Sequence, residues 1–459
     1  MNKTETIAGI STAMYSSGIG IVRISGDDAF SVIDRIFKPI KKSKKMAEVP
    51  SHTIHYGFIM NEDDILDEVL VLVMKAPHTY TRENTVEIDC HGGVLVTKKI
   101  LELVLKSGAR SADPGEFTKR AFLNGRIDLA QAEAVMDLIN AENEFAMSSS
   151  VSQLRGSVSE KIRSIRGEIL YHVAYIEAAL DDPEHMELDN YGDTLSPVIE
   201  KVCADMEELL ANADNGRILS EGIRTVILGK PNVGKSSLLN VLVGSERAIV
   251  TDIAGTTRDT LEEKIRIKDI SLNIVDTAGI RNTEDVIEKI GVSRAKENAR
   301  EADLVVFVVD ASRELDADDM EIAGLIREKK SIVLLNKSDL ETKVTKCEME
   351  ELTNSNVLEV SAKENIGIEK FADTINEMFY QGEISFNNQV FITNVRHKEA
   401  ISLAYESLKM VEESIKKKMP EDFYCVDLMN AYGELGRIIG ESVDEDLVDE
   451  IFCKFCMGK

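Results

Sequence analysis

The spacing of apolar residues changes character several times along the chain. Up to about residue 120, short apolar runs alternate with turns, as in GIGIVRIS, DEVLVLVMKAP and TVEIDCHGG, and a helical stretch, VLVTKKILELVLKSGA, follows. Apolar runs of that length bounded by turn residues read as strands, so a compact α+β domain is expected here. From IDLAQAEAVMDLINAENEFA onward the period is helical, with Leu129, Ala132, Met136 and Ile139 on one face. Val158, Ile162, Ile165, Ile169, Val173, Ile176 and Leu180 then step by threes and fours through a long amphipathic helix, and Val198, Val202, Met206, Leu209 and Ala213 mark another. At Glu221 the texture switches to strands alternating with helices and stays so to about Tyr380, the pattern of an α/β domain. Helical periodicity returns in EAISLAYESLKMVEESIKKK, VDLMNAYGELGRIIG and VDEDLVDEIFCKF.

The pattern predicts a multidomain α/β plus α chain: an N-terminal α+β domain over residues 1–120, a helical domain split between 121–220 and 381–459, and a parallel-sheet α/β domain inserted at 221–380. Insertion at two surface points of a host domain is the economical way to join such segments.

With 459 residues the chain exceeds what one core supports, and its 43% apolar and 29% charged content is that of a globular protein. No stretch approaches the roughly 20 apolar residues of a membrane span. The start, MNKTETIAGISTAMYSSGIG, lacks a charged region followed by an apolar core, so a cytoplasmic protein is expected. Six cysteines are too sparse for a disulfide framework. A net charge of -27 repels a phosphate backbone, so any nucleic-acid contact must be local or supplied by a partner. The basic run FKPIKKSKK reads as a solvated loop.

The chemistry concentrates in the α/β segment. RTVILG runs into Gly229-x-x-x-x-Gly234-Lys235-Ser236 and the helical SLLNVLVG, the strand, turn and helix order of a phosphate-binding loop. Backbone N–H groups and the positive end of the helix suit phosphate oxygens, Lys235 reaches the β and γ phosphates, and the Ser236 hydroxyl is placed for Mg2+. Three more motifs follow in order: Asp276-x-x-Gly279, whose carboxylate can hold Mg2+ through water; Asn336-Lys337-x-Asp339, whose acid can accept from the ring N–H and exocyclic amine of guanine; and Ser361-Ala362-Lys363, placed to close over the base. Adenine offers no such pair of donors, so GTP is expected over ATP. All four fall at strand ends, where open α/β sheets bind ligands. Either Thr256 or Thr257 in IVTDIAGTTRD can supply a second Mg2+ ligand. The expected nucleotide contacts are Asn232, Val233, Gly234, Lys235, Ser236 and Ser237; Thr251, Asp252, Ile253, Ala254, Gly255, Thr256 and Thr257; Asp276, Thr277, Ala278 and Gly279; Asn336, Lys337 and Asp339; and Ser361, Ala362 and Lys363.

Many GTPases place a glutamine after Asp-x-x-Gly to orient water, but here the residue is Ile280. Help must come from elsewhere, by an arginine finger or a monovalent cation near the Asn232 side-chain carbonyl. Glu284, Asp285 and Glu288 are all acids that can orient water, and the spacing does not choose among them.

Taken together, GKPNVGKSSLLN, TDIAGTTRDT, NGRIDLAQAEAVMDLI and a terminal Cys-x-Gly-Lys resemble the MnmE (TrmE) family of tRNA modification GTPases, over essentially the whole chain. The resemblance implies a homodimer whose GTPase domains approach each other with K+ and GTP bound. It places K+ among Asn232, Thr251, Ile253 and Thr256, Mg2+ on Ser236 and Thr257, and the attacking water on Glu288. It makes residues 1–120 a folate-binding and dimerisation domain for 5-formyl- or 5,10-methylene-tetrahydrofolate, with Arg23, Glu87, Arg126 and Lys459 at the matching positions. It also implies a flavoprotein partner, MnmG, in a heterotetramer that adds an aminomethyl or carboxymethylaminomethyl group to C5 of the wobble uridine of certain tRNAs, with the tRNA held largely by the partner. A regulatory or ribosome-associated GTPase is the alternative, but it leaves the N-terminal residues and the tail unexplained.

The tail SVDEDLVDEIFCKFCMGK begins with a capping-box pattern, Ser442 and Glu445, and sets Val443, Leu447, Ile451 and Phe455 at helical spacing. No second Cys-x-x-Cys or His pair accompanies Cys453 and Cys456, which disfavours zinc. Cys453 is expected to be a buried packing residue, Cys456 an active-site residue, and Lys459 part of the folate site. Met457 stands where the family has Ile or Leu, keeping an apolar side chain.

Overall fold

Strand alternation in the N-terminal region separates a buried face from an open one. On β6 (Thr85–His91), Val86, Ile88 and Cys90 are buried while Glu87 and Asp89 point to the other side and His91 is exposed. The computed structural model describes residues 5–40, 45–141, 143–186, 188–244, 263–267, 270–275, 299–380, 390–441, 445–453, 455 and 458. By internal contacts the chain divides into two units, Met1–Ile139 with Val151–Ile199 and Leu403–Lys459, and Asn140–Ser150 with Glu200–Ser402.

In the first unit, β1 (Ile7–Ile10), β2 (Ile19–Ser25), β3 (Phe37–Pro39), β4 (Thr53–Asn61), β5 (Asp64–Met74), β6 and β7 (Arg110–Ser111) form one sheet in the order β3-β4-β5-β6-β2-β1-β7. Every pair is antiparallel except β1 with β7. Helices α1 (Ala29–Asp34) and α2 (Val94–Lys106) cover one face, and Val32, Ile33, Ile100 and Val104 pack there with Val22, Ile24, Val71 and Ile88. Helix α3 (Glu116–Leu123) packs Phe117 against Ile7 of β1, and α4 spans Leu129–Ile139, α5 Glu144–Leu154, α6 Ser157–Asp181 and α7 Tyr191–Glu221.

Helix α6 runs for 25 residues with Val158, Ile162, Ile165, Ile169, Val173 and Ile176 buried as the spacing predicts, but its seam ends on Ala179, and Leu180 is 49% exposed. One residue is a rotation of about 100°, so a pattern read near a helix end loses its phase first.

The second unit holds the six-stranded sheet. β8 (Ile223–Leu228) leads through α8 (Lys235–Gly244) to β9 (Glu263–Ile267), β10 (Ile270–Val275) and β11 (Leu304–Asp310). Then follow α9 (Ala317–Ile326), β12 (Ser331–Asn336), α10 (Lys346–Thr353), β13 (Asn356–Glu359) and α11 (Ile368–Tyr380). The order is β13-β12-β11-β8-β10-β9, parallel except for the β9–β10 pair. All seven residues of β11 are buried because Leu304, Val306 and Val308 pack into one core while Val305, Phe307 and Val309 pack into the other. A continuous apolar strand is what a parallel sheet covered on both faces requires. The chain leaves β8 to build β10 on one side and β11 on the other, so β8 ends at the switch point where such sheets hold ligands.

The chain continues with α12 (Val395–Lys416), α13 (Glu421–Ile439) and α14 (Glu445–Cys453). Leu428, Ala431, Leu435 and Ile438 of α13 are buried, and α13 packs along α6. The tail's capping residue Ser442, and Val443, lie outside the described residues. The buried face of α14 is Val448, Phe452 and then Phe455, one residue off the expected Leu447 and Ile451. The same rotation corrects Cys453, which is exposed, leaving Phe452 as the core residue. Among the described residues no helix is long and apolar enough to cross a membrane.

Candidate functional site

The phosphate loop is shaped by residues in the left-handed region. Asn232 has φ +64° and Gly234 φ +102°, and a Cβ on Gly234 would run into the Asn336 amide nitrogen. Asparagine tolerates this conformation and glycine adopts it freely. Helix α8 starts at Lys235, which puts Ser236 and Ser237 in its first turn, where N–H groups lack helical partners. The Lys235 ammonium bends back over the loop, donating to the carbonyls of Gly229 at 2.5 Å and Lys230 at 2.7 Å. Burial lowers its pKa, so an arriving phosphate would supply a counter-charge, and the ammonium's third donor is available to it.

Asn336 ends β12 and is 3% exposed. Its amide donates to the Val233 carbonyl at 2.8 Å, and its carbonyl accepts from the Ala362 N–H at 3.1 Å. It therefore braces the phosphate loop against the Ser361-Ala362-Lys363 turn. Ser361 donates to Asp339 at 2.6 Å, and this bond chiefly holds the carboxyl below its usual range. A carboxylate has about four lone-pair positions, so Asp339 can still accept two donors from a guanine edge. Lys337 has φ +65° and its ammonium reaches Asp310 at 2.6 Å. Burial pushes the Asp310 carboxyl up, but bonds from Lys337 and Ser312 outweigh it and leave the group below its ordinary value.

Val233, Gly234, Lys235, Asn336, Ala362 and Asp339 are thus joined in one network within the sheet's carboxyl end. Asp310 joins it too, and the only sequence signal for it is an acid closing the run LVVFVVD opposite Asn336. Lys363 is exposed beside Glu364. Thr251, Asp252, Ile253, Ala254, Gly255, Thr256, Thr257, Asp276, Thr277, Ala278, Gly279 and Glu288 lie outside the described residues.

A second constellation lies in the first unit. Arg23 on β2 and Glu87 on β6 are register partners, and Arg23 Nε donates to Glu87 Oε1 at 2.7 Å. The Arg23 guanidinium is 5.6 Å from the centre of the Tyr80 ring and 5.5 Å from that of Phe117, and Arg126 is 4.6 Å from Tyr80. The tail arrives here: the Gly458 carbonyl accepts from Ser11 Oγ at 3.0 Å and Arg23 Nη1 at 3.4 Å. Phe452 and Phe455 anchor it in a cluster with Ala121, Ile127 and Leu129. Beside Arg126 and Tyr80 opens a cavity of about 440 Å3 with an apolar wall from Val135, Leu138 and Leu154. Arg23 and Arg126 are therefore gathered at Tyr80, a residue in no motif, and Glu87 joins them through Arg23. Cys456 and Lys459 lie outside the described residues.

Two family models match, the GTP-binding protein TrmE N-terminus over residues 6–126 and the MnmE helical domain over 129–456. A tRNA modification GTPase MnmE of Lachnoclostridium phytofermentans is 56% identical over 457 residues, covering 100% of both chains. One from Thermoanaerobacter pseudethanolicus is 49% identical over 458 residues, covering 99% of each. Among solved structures, Aquifex aeolicus Era bound to GDP·AlF4- is 28% identical, covers 41% of this chain and 67% of its own, and has a TM-score of 0.27, too low to carry a conclusion about this chain. The two matched models and the full-length relatives agree, and the chain belongs to the MnmE family of tRNA modification GTPases.

Proposed function

We propose that this GTPase couples K+-assisted hydrolysis in its inserted domain, residues 221–380, to a folate-dependent modification of C5 of the wobble uridine in certain tRNAs. The observation that carries the folate half is the meeting of Arg23 and Arg126 at Tyr80, with Glu87 and the docked Gly458 both bonded to Arg23. A folate presents a carboxylate tail, an aromatic body and a pterin edge of N–H donors, which suit a guanidinium, an aromatic face beside an apolar cavity, and a carboxylate. When bound, it supplies the one-carbon unit. The chain's own work would be to hold it: Glu87 would accept from the pterin edge, Arg23 fixes Glu87, Arg126 would face the anionic tail, and Cys456 and Lys459 are the tail residues proposed to complete the site.

In the nucleotide site, Ser236 and Thr257 would hold Mg2+. Asn232, Thr251, Ile253 and Thr256 would hold K+ through neutral oxygens, and Glu288 would orient the water that Ile280 cannot. Asn232 is exposed on a left-handed turn, a position from which its carbonyl can reach outward. Exposed Ile54, Tyr56 and Leu70 on the open face of the N-terminal sheet support a homodimer formed there. A flavoprotein, MnmG, would complete a cytoplasmic heterotetramer and supply most of the tRNA surface, as the net charge of -27 favours.

Titration of the intact protein with 5-formyltetrahydrofolate should give saturable binding that Glu87→Gln weakens by about tenfold, the loss of one charge-assisted pair. No binding to the wild type would move the assignment to a GTPase that acts through partner contacts alone. GTP turnover should fall by at least about tenfold when Na+ replaces K+, one pre-organised charge having been removed from the transition state. Equal rates would remove the cation from the mechanism.

A further inference from the structure

A second lysine in the phosphate loop takes part in none of the steps above. The Lys230 ammonium lies 2.7 Å from Asp316 and 2.6 Å from Asp319. These acids form the capping box of α9: Asp316 accepts from the N–H groups of Asp318 at 3.1 Å and Asp319 at 3.3 Å, and Asp319 accepts from the Asp316 N–H at 3.2 Å. Backbone bonds thus hold both carboxylates in place independently of the lysine, and the Asp319 side chain is only 4% exposed. At the other end of the same residue, the Lys230 carbonyl accepts from Lys235. Lys230 is gripped by α9 through its side chain and by the phosphate-binding lysine through its backbone.

We infer that Lys230 is a positioning residue for nucleotide binding, clamping the first turn of the phosphate loop to the N-terminus of α9. When Lys235 turns a donor toward phosphate, its bonds to the carbonyls of Gly229 and Lys230 are loosened. Without an anchor the first turn is free to relax as those bonds loosen, and the loop's N–H groups lose their convergence on the ligand. The clamp keeps that frame while Lys235 moves. It also offsets two carboxylates beside a site that must accept a polyanion. Helix α9 retains its own capping box without the lysine, so the role lies in the loop rather than in the fold.

The test uses the full-length protein with fluorescent GDP and GTP analogues, K+ fixed and ionic strength raised with choline chloride. Lys230→Met should weaken both nucleotides by about tenfold, with the deficit shrinking between about 0.05 and 0.5 M salt as the exposed Asp316 carboxylate is screened. The loss should fall on KM, with kcat at saturating GTP within about twofold. Lys230→Arg, which keeps the charge and reach, should recover binding to within about twofold, and Asp316→Asn should cost about threefold. Affinities within twofold of the wild type for Lys230→Met, a loss that arginine does not recover, or a loss confined to kcat would each overturn the inference. Should Lys230→Met lose its circular dichroism signature, Asp316→Asn decides: unchanged affinities there reject the clamp, and the threefold loss supports it.

Discussion

At the nucleotide site, the bonds that set the geometry run between strand ends of one sheet, joining Asn336 to Val233 and Ala362, and Ser361 to Asp339. At the Arg23 site they join residues 64, 435 and 447 positions apart, from the second strand to the last turn of the chain. The partners of the first site are 22, 26 and 103 positions apart, all in loops and strand ends at the carboxyl end of one parallel sheet. The second exists only after both ends of the first unit have folded and the tail has docked. Conformation within one sheet should therefore govern the first, and docking of the chain's tail the second.

The largest effect that tests this contrast is expected from Gly234→Ala. A non-glycine residue in the left-handed region costs about 1–2 kcal/mol, and here the added Cβ also strikes the Asn336 amide. GTP and GDP affinity, read by equilibrium fluorescence, should fall by at least about 100-fold, the loss of one methyl's worth of space and a conformation together. Folate binding should be unaffected. An intermediate effect is expected from Gly458→Ala, where φ is +93° and the Cβ would meet the Ile10 carbonyl. The tail should undock and folate affinity should fall about tenfold, while GTP affinity stays within about twofold. If Gly458→Ala weakened GTP as strongly as folate, the two sites would not be separable in this way.

The same difference governs how much of each site the amino-acid order reveals. The strand-end placement of the Gly229–Ser236, Asn336–Asp339 and Ser361–Lys363 motifs is legible because the amino-acid order sets each directly after an apolar run, and β11 announces its burial by an unbroken apolar run. The work of Asn336 is not legible: its position at a strand end is in the pattern, but its role as a brace depends on which two loops its amide happens to face. Lys230 is silent for a related reason, since a lysine in an exposed loop looks solvated until two fixed carboxylates stand beside it. At the Arg23 site only the family resemblance brings Arg23, Glu87 and Arg126 together, and Tyr80, which both arginines face, carries no signal because aromatic contact leaves no spacing in the chain. Leu180 and Cys453 show the limit of periodicity itself. It identifies a helix well and its phase near an end poorly, because one residue turns the face through roughly a right angle.

The smallest expected effect separates the two units by pH. In the first unit His172 is buried, with the Tyr191 hydroxyl 2.7 Å from Nδ1 and the Tyr171 ring packed edge-on. Burial lowers the pKa of His172, against a smaller opposing pull from Glu168, and burial also pushes the Tyr191 hydroxyl up to about 12. A neutral ring accepting from a protonated tyrosine is the form both shifts favour. As pH falls below about 6.5, the unfolded chain takes up a proton that the folded histidine resists, so stability declines from there to the folded pKa. In the second unit the Asp310 carboxyl has the opposite bearing: its pKa is lowered, so its contribution is present above about 3.9 and is lost only as pH falls through the folded value. Mild acid, from about pH 7 to 5.5, should therefore loosen the first unit and spare this part of the second. Hydrogen exchange across that range should show protection falling in α6 and α13 while β11 and β12 hold. His172→Gln, which keeps an acceptor for Tyr191 but cannot titrate, should flatten the response in α6, and an unchanged slope in that variant would assign the acid sensitivity to another group.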